Sequence, residues 1–299
     1  MPEGDRLDIM AVDRPSGANR CNVNAEAIPV YVINLNRRPD RRAAIGQHLE
    51  ALGIDWQRVE AVDGTAVDAG ILDEVCARTG PNGPMGNPTR ACTASHLRAW
   101  EEFLQGTAGF ALVLEDNVRL ASDAAACLCS DAWIPESVDL IKLEKFNPAR
   151  SSRLLLGRKI AAVPGEGGQG ETRELREMFS RHTGAGAYII SRRAAKMALK
   201  HRGGIDVPID HFLFNETVSP LLRDLRPFIV RPSMAWQRRE DHGSDIPVSA
   251  GADQLPFLSR KLRSLRRAWF EVKLFPKQMI WLLTGRAAIV ELRGPLDTR

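Results

Sequence analysis

The sequence lacks the features that would mark a disulfide-rich, zinc-binding, membrane-spanning or secreted protein. Its five cysteines are an odd number and include no CxxC pair, which argues against a disulfide scaffold and against a cysteine-based zinc site. No run approaches ~18 apolar residues, so no membrane-spanning helix is expected. The first residues contain no apolar segment of the signal-peptide type. We therefore expect reduced thiols and a cytoplasmic location.

The sequence also lacks the usual signs of a nucleic-acid-binding protein. Its 41 Lys and Arg residues nearly balance 37 Asp and Glu residues, which leaves a net charge of +4 over 299 residues. There is no stripe of interleaved aromatic and basic residues, and aromatic residues make up only 6% of the chain. No partner nucleic acid is expected. A slightly basic balance suits small anions such as nucleotides or phospholipid headgroups.

Continuous apolar runs with β-branched residues occupy 29–35, 110–114 and 139–143. Such runs are typical of strands that are buried on both faces, as in a parallel sheet. Amphipathic helical segments separate them. The sequence therefore predicts an α/β fold with a mixed, mostly parallel sheet flanked by helices. We expect a flexible loop over 79–90 and irregular structure over 147–178.

The segment LVLEDN places polar side chains directly after one of these strands, at Glu115, Asp116 and Asn117. Ligands of open α/β sheets bind at the carboxyl ends of the strands. Carboxylate and amide oxygens there suit Mg²⁺ or Mn²⁺, which would neutralise a diphosphate. The alternative is a solvated turn, because strands commonly end in Asp and Asn.

A basic loop follows the first strand and contains Arg37, Arg38, Arg41 and Arg42. Arginine donates paired hydrogen bonds to phosphate, so this loop is a candidate for gripping a nucleotide diphosphate. A merely solvated charged face is the alternative. No GxxxxGK loop occurs, nor a GxGxxG after the first strand, so two common phosphate-binding motifs are absent.

Two further pairs of polar residues are candidates for the site. Ser95 and His96 lie on a predicted helix and would contribute to a pocket, or else serve a structural role. Asp210 and His211 follow Pro208 at a predicted element boundary. Either of them would supply a metal ligand or a general base, unless Asp210 only caps a helix.

Seven segments, taken in order, resemble glycosyltransferase family 25. They are VINLNRRPDRR, CTASHLRAW, ALVLEDN, IKLE, GAGAYIISRRAAK, PIDHFLF and a Gln before Ser-Asp-Ile, and together they span residues 28–246. The resemblance implies a GT-A-type, Rossmann-like fold and a UDP-sugar donor, often UDP-galactose. It also implies a Mn²⁺ or Mg²⁺ ion, inversion at the anomeric carbon, and a glycan or glycolipid acceptor such as lipooligosaccharide.

The resemblance also suggests roles for individual residues. Asp116 and Asn117 are expected to bind the metal. Asp210 and His211 are expected to be catalytic, with Asp210 as the candidate base. Donor or nucleotide binding falls to Asn34, Arg38, Arg41, Ser95, His96, Glu115 and Lys142. The family motif usually ends Glu-Asp-Asp, whereas this chain has Asn117. Because Asn offers a neutral oxygen without the charge, we expect weaker metal binding, unless Asp116 takes over the main contact with the ion.

We predict three regions along the chain. Residues 1–27 form a flexible lead-in, 28–246 the catalytic domain, and 247–299 a basic helical extension. Within the extension, 255–285 combines Lys and Arg with recurring large apolar residues. Such a helix would lie on an anionic membrane surface, at the inner face of the cytoplasmic membrane, or else pack on the catalytic domain.

Two other functions compete with an active glycosyltransferase. A non-catalytic relative would keep the fold and nucleotide-sugar or scaffold binding but lose the metal site, for which Asn117 is the only sequence support. A nucleotidyltransferase-like enzyme would share a similar sheet and carboxylate edge, because fold alone does not fix chemistry.

Overall fold

The structure is a computed structural model that describes residues 26–146, 152–166, 172–237, 269, 272 and 274–294. The helices are α1 (Pro39–Ala51), α2 (Ala69–Asp73), α3 (Asn87–Gln105), α4 (Ala124–Leu128), α5 (Arg192–Leu199) and α6 (Ile209–Phe214), with a 3-10 turn at Leu221–Arg223. The C-terminal helix covers residues 274–283. The strands are β1 (Val30–Asn34), β2 (Gln57–Glu60), β3 (Thr79–Gly80), β4 (Gly83–Pro84), β5 (Phe110–Glu115), β6 (Val118–Leu120), β7 (Leu140–Lys142), β8 (Glu144–Lys145), β9 (Arg153–Glu166), β10 (Thr172–Met178), β11 (Ala187–Ser191), β12 (Pro227–Arg231), β13 (Ala235–Gln237) and β14 (Ala287–Glu291).

A nine-stranded sheet organises the fold, in the order β14-β9-β10-β12-β7-β11-β5-β1-β2. Strands β1, β2, β5, β7, β9 and β12 run in one direction, and β10, β11 and β14 run in the other. Helices flank the sheet. The predicted α/β fold with a mostly parallel sheet is therefore confirmed.

Apolar side chains on both faces of the sheet explain why the central strands read as continuous runs. In β5, Ala111 and Val113 belong to one buried cluster, while Leu112 and Leu114 belong to the other. All five residues of β1 are buried as well. Because both faces are covered, neither strand has a solvent side that would require polar residues. The first polar segments after β1 and β5 therefore begin where these strands end, at the carboxyl edge of the sheet.

Residues 79–90 are more regular than we predicted. A short hairpin, β3–β4, is followed at once by α3, which begins at Asn87 rather than near Ala91. Pro88 lies in the first turn of α3, where the missing amide hydrogen costs nothing because that group has no partner inside the helix. The prediction of a flexible loop over 79–90 was therefore wrong.

The region 147–178 was predicted to be irregular, but 153–178 contains an antiparallel hairpin. Strands β9 and β10 pair from Thr172–Glu166 to Met178–Leu156, with register shifts along the ladder. Each shift interrupts the alternation of apolar and polar residues that identifies a strand. The prediction missed the hairpin for this reason.

The C-terminal region is only partly helical. Trp281 of the C-terminal helix packs on Phe179, with ring centroids 4.3 Å apart. Residues 287–291 then form β14, which pairs antiparallel with β9. The predicted helical extension over 247–299 does not hold for residues 287–291, where an Ala-Ala-Ile-Val segment completes the sheet edge. Residues 247–268 lie outside the described part of the chain.

Two other expectations concern the N-terminus and the thiols. The predicted flexible lead-in, 1–27, lies outside the described residues except for its last two positions. Cys76, Cys92 and Cys127 carry free thiols, as expected. Cys129 is disulfide-bonded, so the expectation of five reduced thiols is wrong for this residue. No helix among the described residues combines the length and apolar content needed to cross a membrane.

Candidate functional site

A cleft opens where β1, β2 and β5 end, at the carboxyl edge of the sheet. It encloses about 730 Å³, part of it open to solvent. Its walls are Ile33, Leu35, Arg37, Arg41, Ala61, Val62, Asp63, Gly64, Thr65, Pro88, Cys92, Ser95, His96, Glu115, Asp116 and Asn117. Six residues predicted for the site, together with Arg37, thus meet in one cavity, and Asn34 lies directly beside it.

Asp116 is held by protein partners on both carboxylate oxygens. Asn34 Nδ2 donates to Oδ2 at 2.8 Å, and Arg41 Nη1 lies 3.5 Å from Oδ1. Burial raises the pKa of Asp116, and the contacts with Asn34 and Arg41 partly offset that rise. Arg58 in turn donates to Asn34 Oδ1 at 3.2 Å. The carboxylate therefore fixes α1 and the end of β1 against β5.

Two of the four loop arginines line the cleft. Arg41 reaches it from the first turn of α1, and Arg37 reaches it while its Nε donates to Asp63 Oδ2 at 2.6 Å. Arg38 instead pairs with Asp40 at 2.7 Å and does not line the cavity. Arg42 is exposed. Fewer arginines therefore reach the cleft than the sequence suggested.

Ser95 connects the walls of the cleft. Its Oγ accepts from the Val62 amide at 2.9 Å and donates to the Ala91 carbonyl at 2.7 Å. The segment after β2 is therefore fastened to α3. In that segment, a Cβ on Gly64 would lie only 2.7 Å from Pro88 Cα. Glycine is needed for this close approach, which shapes the wall of the cleft.

His96 is fully buried between the cleft and the core. Its Nδ1 lies 2.8 Å from the Tyr188 hydroxyl, which also accepts from Trp100 Nε1 at 2.9 Å. On the other side of the ring, Nε2 lies 3.6 Å from Glu115 Oε1. Among the described residues, Nε2 has no hydrogen-bond partner. The contact with Tyr188 therefore holds the ring in place, and Nε2 lies on the side of the ring that meets Glu115 of the cleft.

Glu115 and Asn117 supply the remaining oxygens. The Glu115 side chain keeps 27% of its surface exposed. Asn117 Oδ1 is buried and has no hydrogen-bond partner in the described part of the chain. A buried amide oxygen without a partner is costly, which favours a ligand at this position.

Cys92 is a cleft residue that the sequence analysis did not select. It precedes His96 by one helical turn on α3, and the ligand atoms of Cys92, His96 and Glu115 all lie within 4.8 Å of one another. Burial raises the pKa of the Cys92 thiol well above its ordinary value, with smaller contributions from Glu115 and Asp210. The i, i+4 spacing was the signal that would have revealed this pair.

Lys142 is not in the cleft. Its Nζ donates to Glu144 Oε1 at 2.9 Å and to the Gly184 carbonyl, and it lies 4.5 Å from the centroid of the Phe214 ring. Both charged side chains are fully buried. Glu144 also accepts from Gln237 Nε2 at 3.1 Å. The predicted donor-binding role of Lys142 does not match this placement, because burial commits the cation to Glu144.

Asp210 and His211 also lie outside the lining of the cleft. Asp210 accepts from the Gly184 amide at 3.1 Å and from the His211 amide at 2.9 Å. The His211 Nδ1 atom is 2.8 Å from Asn215 Nδ2. Asp210 is nonetheless close enough to contribute to the raised pKa of Cys92. A catalytic role for either residue stays a prediction.

A family model described as glycosyltransferase family 25 (LPS biosynthesis protein) matches residues 27–213, well over half of the chain. The chain belongs to glycosyltransferase family 25. The matched residues of this family member include every side chain of the cleft and the neighbouring Asp210 and His211.

Individual relatives agree with the family. The Lacto-N-neotetraose biosynthesis glycosyltransferase LgtE of Neisseria meningitidis serogroup B is 26% identical over 57% of this chain and 59% of its own length. The Lipooligosaccharide biosynthesis protein lic2B of Haemophilus influenzae is 22% identical over 84% of this chain and 92% of its own. This family 25 chain thus spans about three fifths of LgtE.

Among solved structures, the inositol-1-phosphate CTP transferase of T. maritima aligns with 81% of this chain and 98% of its own at a TM-score of 0.32 and 9% identity. A likeness this low carries no argument about the chemistry of the family 25 chain.

Proposed function

We propose that this family 25 member is a glycosyltransferase that moves a sugar from a UDP-sugar to a cell-surface glycan such as lipooligosaccharide. Galactose is the sugar that we propose. The single observation that carries the proposal is the cleft, in which two arginines face a row of polar oxygens at the carboxyl edge of the sheet. The names of LgtE and lic2B support the acceptor class.

The cleft has the charge that a nucleotide diphosphate requires. Arg37 and Arg41 supply guanidinium groups on the wall, and such groups match the oxygen geometry of a diphosphate. Because Arg41 is buried and fixed by Asp116, it is pre-organised for binding.

A hard cation, Mn²⁺ or Mg²⁺, is part of the proposal, with an altered ligand set. The oxygens of Asp116 are engaged by Asn34 and Arg41, so this residue orients the loop rather than presenting a free carboxylate. Glu115 and Asn117 both line the cleft, and their side-chain oxygens would hold the ion. When bound, the ion would neutralise the leaving diphosphate.

Inversion requires a base that takes the acceptor hydroxyl proton. Asp210 is our candidate because its carboxylate lies at the start of α6, close enough to Cys92 of the cleft to contribute to the raised pKa of that thiol. His211 is the second candidate.

The experiment is a donor panel. The purified protein would be incubated with UDP-galactose, UDP-glucose, UDP-N-acetylglucosamine, CTP and ATP, with lipooligosaccharide fragments as acceptors, and release of UDP or pyrophosphate would be followed. We expect UDP release that Glu115→Gln reduces and that the control Glu101→Gln, on the exposed face of α3, leaves unchanged. Pyrophosphate release from CTP or ATP would instead support the nucleotidyltransferase alternative.

We also propose that the chain contacts the inner face of the cytoplasmic membrane, where a lipid-linked acceptor would be found. Large apolar residues of the C-terminal segment are exposed at Trp269, Val272, Phe275, Ile280 and Leu283. Only part of the predicted 255–285 helix is described, and truncating the chain from residue 255 onward would also remove β14. We therefore expect Phe275→Glu with Leu283→Glu to reduce flotation with anionic phosphatidylglycerol vesicles. Ile71→Glu, at an equally exposed site elsewhere, is the control; equal flotation of all variants would contradict membrane contact.

A further inference from the structure

One turn of α3 and the end of β5 bring together three different metal-binding side chains. Cys92 and His96 are four positions apart in the sequence and so lie on the same face of α3. Glu115, the last residue of β5, lines the same cleft as these two residues. The ligand atoms of all three lie within 4.8 Å of one another, and His96 Nε2 is 3.6 Å from Glu115 Oε1.

The surroundings of His96 Nε2 favour a ligand at this point of the cleft. The ring is fully buried, and within the described residues Nε2 has no hydrogen-bond partner. At the other nitrogen, the Tyr188 hydroxyl lies 2.8 Å from Nδ1. A hydroxyl oxygen accepts two hydrogen bonds, so Tyr188 can accept from both Trp100 and Nδ1–H. That tautomer leaves a lone pair on Nε2, and a second partner behind the ring is usual for metal-binding histidines.

We propose that Cys92 Sγ, His96 Nε2 and the Glu115 carboxylate form a binding site for a borderline divalent cation of the Zn²⁺ or Co²⁺ class. One sulfur, one nitrogen and one oxygen match the ligands that such ions take. The i, i+4 pair on a helix with a carboxylate from a second element is an arrangement that zinc enzymes use. Mg²⁺ and Mn²⁺ prefer an all-oxygen set and should bind these three ligands weakly, so the hard cation of the proposed function would share only Glu115 with this site.

The distances allow this coordination with a small adjustment. Zinc–ligand bonds of about 2.0–2.3 Å in a tetrahedral geometry place ligand atoms roughly 3.3–3.8 Å apart. The His96–Glu115 separation is already in this range. The remaining separations are at most 4.8 Å and need to shorten by no more than about 1.5 Å, which rotations of the Cys92 and Glu115 side chains can supply. On binding, the metal replaces the thiol proton of Cys92, which leaves to the solvent.

Three protein ligands leave a fourth position, and all three side chains line the cleft. An open fourth position distinguishes catalytic from structural zinc sites. If the proposed function holds, a diphosphate oxygen of the donor would reach this position. That last step rests on the proposed function, whereas the metal site itself does not.

The test is a cobalt titration of the full-length protein after removal of metals, under mild reducing conditions and without nucleotide. We expect one Co²⁺ per chain and a thiolate-to-cobalt charge-transfer band, which equimolar Zn²⁺ abolishes and excess Mg²⁺ does not. Cys92→Ser should lose the band. Cys76→Ser is the matched control, because that buried thiol donates to the Arg90 carbonyl, a bond that Ser retains.

Glu115→Gln gives a second, milder variant, since its side chain is partly exposed and folding should be unaffected. We expect at least a tenfold weaker Co²⁺ affinity. A wild-type protein without the band, a band that persists in Cys92→Ser, or unchanged affinity in Glu115→Gln would overturn the proposal. UDP binding, measured separately on the metal-free protein, would show whether the donor site stands independently of that result.

Discussion

The Asn34 amide donates to the Asp116 carboxylate at 2.8 Å, and this bond joins the end of β1 to the end of β5. Arg58 approaches the other side of the same amide and donates to Asn34 Oδ1 at 3.2 Å. The amide thus bridges a cation and an anion, both from elements that border the cleft. Its removal would leave the buried Asp116 oxygen without this donor.

We predict that Asn34→Ala lowers the free energy of unfolding by about 1–3 kcal/mol, the usual cost of leaving a buried polar group without its partner. Urea denaturation at neutral pH would measure the change. Asn36→Ala, at an exposed residue that also accepts from Arg58, should change stability by less than ~0.5 kcal/mol. Equal effects of the two substitutions would contradict a special role for the Asn34–Asp116 bond.

Asn117→Asp should strengthen Mn²⁺ binding. The substitution adds a negative charge beside Glu115 in a partly desolvated site, and we expect at least a tenfold gain in affinity, or about 1.4 kcal/mol. Calorimetry with Mn²⁺ in the presence of UDP would detect it. Asn36→Asp, outside the cleft lining, controls for a general effect of charge. An unchanged Mn²⁺ affinity would mean that position 117 does not face the ion.

Lys142→Ala should destabilise the fold by roughly 3–5 kcal/mol, because it leaves the buried Glu144 carboxylate unpaired. Since Lys142 does not line the cleft, UDP affinity of the folded protein should stay unchanged. The double variant Lys142→Met with Glu144→Gln should recover much of the stability. Normal stability with lost UDP binding would instead place Lys142 in the donor site.

His182 should make the protein sensitive to mild acid. Burial, together with Lys142 and Lys145, holds the pKa of this histidine well below its ordinary value of 6.5. The unfolded chain therefore binds a proton below about 6.5 that the native state does not. Stability is fully present above that pH and falls as pH decreases, by up to about 1.4 kcal/mol per pH unit.

Urea denaturation at about pH 7.5 and about pH 5.5 would measure this loss, and His182→Gln should reduce it. His48, whose pKa is also lowered by burial and by Arg119, should leave a smaller residual dependence. The same pH dependence in wild type and variant would contradict the assignment to His182.

The sequence predicted the central strands because each is buried on both faces and so reads as one apolar run. The hairpin β9–β10 escaped detection because register shifts break its alternation. Strand β14 escaped because its pairing depends on β9, more than a hundred residues earlier.

The site could be predicted where polar residues directly follow a strand, as Glu115, Asp116 and Asn117 do. The orientation of a side chain within that edge was not readable from sequence. Lys142 also ends a strand, yet it turns into the protein to meet Glu144. Arg38 lies beside Arg37, yet it pairs with Asp40 outside the cleft. Pairwise contacts of this kind depend on the packed fold.

The central claim is that the cleft holds the nucleotide diphosphate of a UDP-sugar, and calorimetric binding of UDP tests it most directly. Measurements with Mn²⁺ and with EDTA would separate the contribution of the cation from that of the arginines. We expect UDP to bind, more weakly in EDTA, and Arg41→Gln to weaken binding at least tenfold while Arg42→Gln, at an exposed neighbour, has no effect. An absence of UDP binding with or without Mn²⁺ would contradict the account and favour a family member that has lost its donor site.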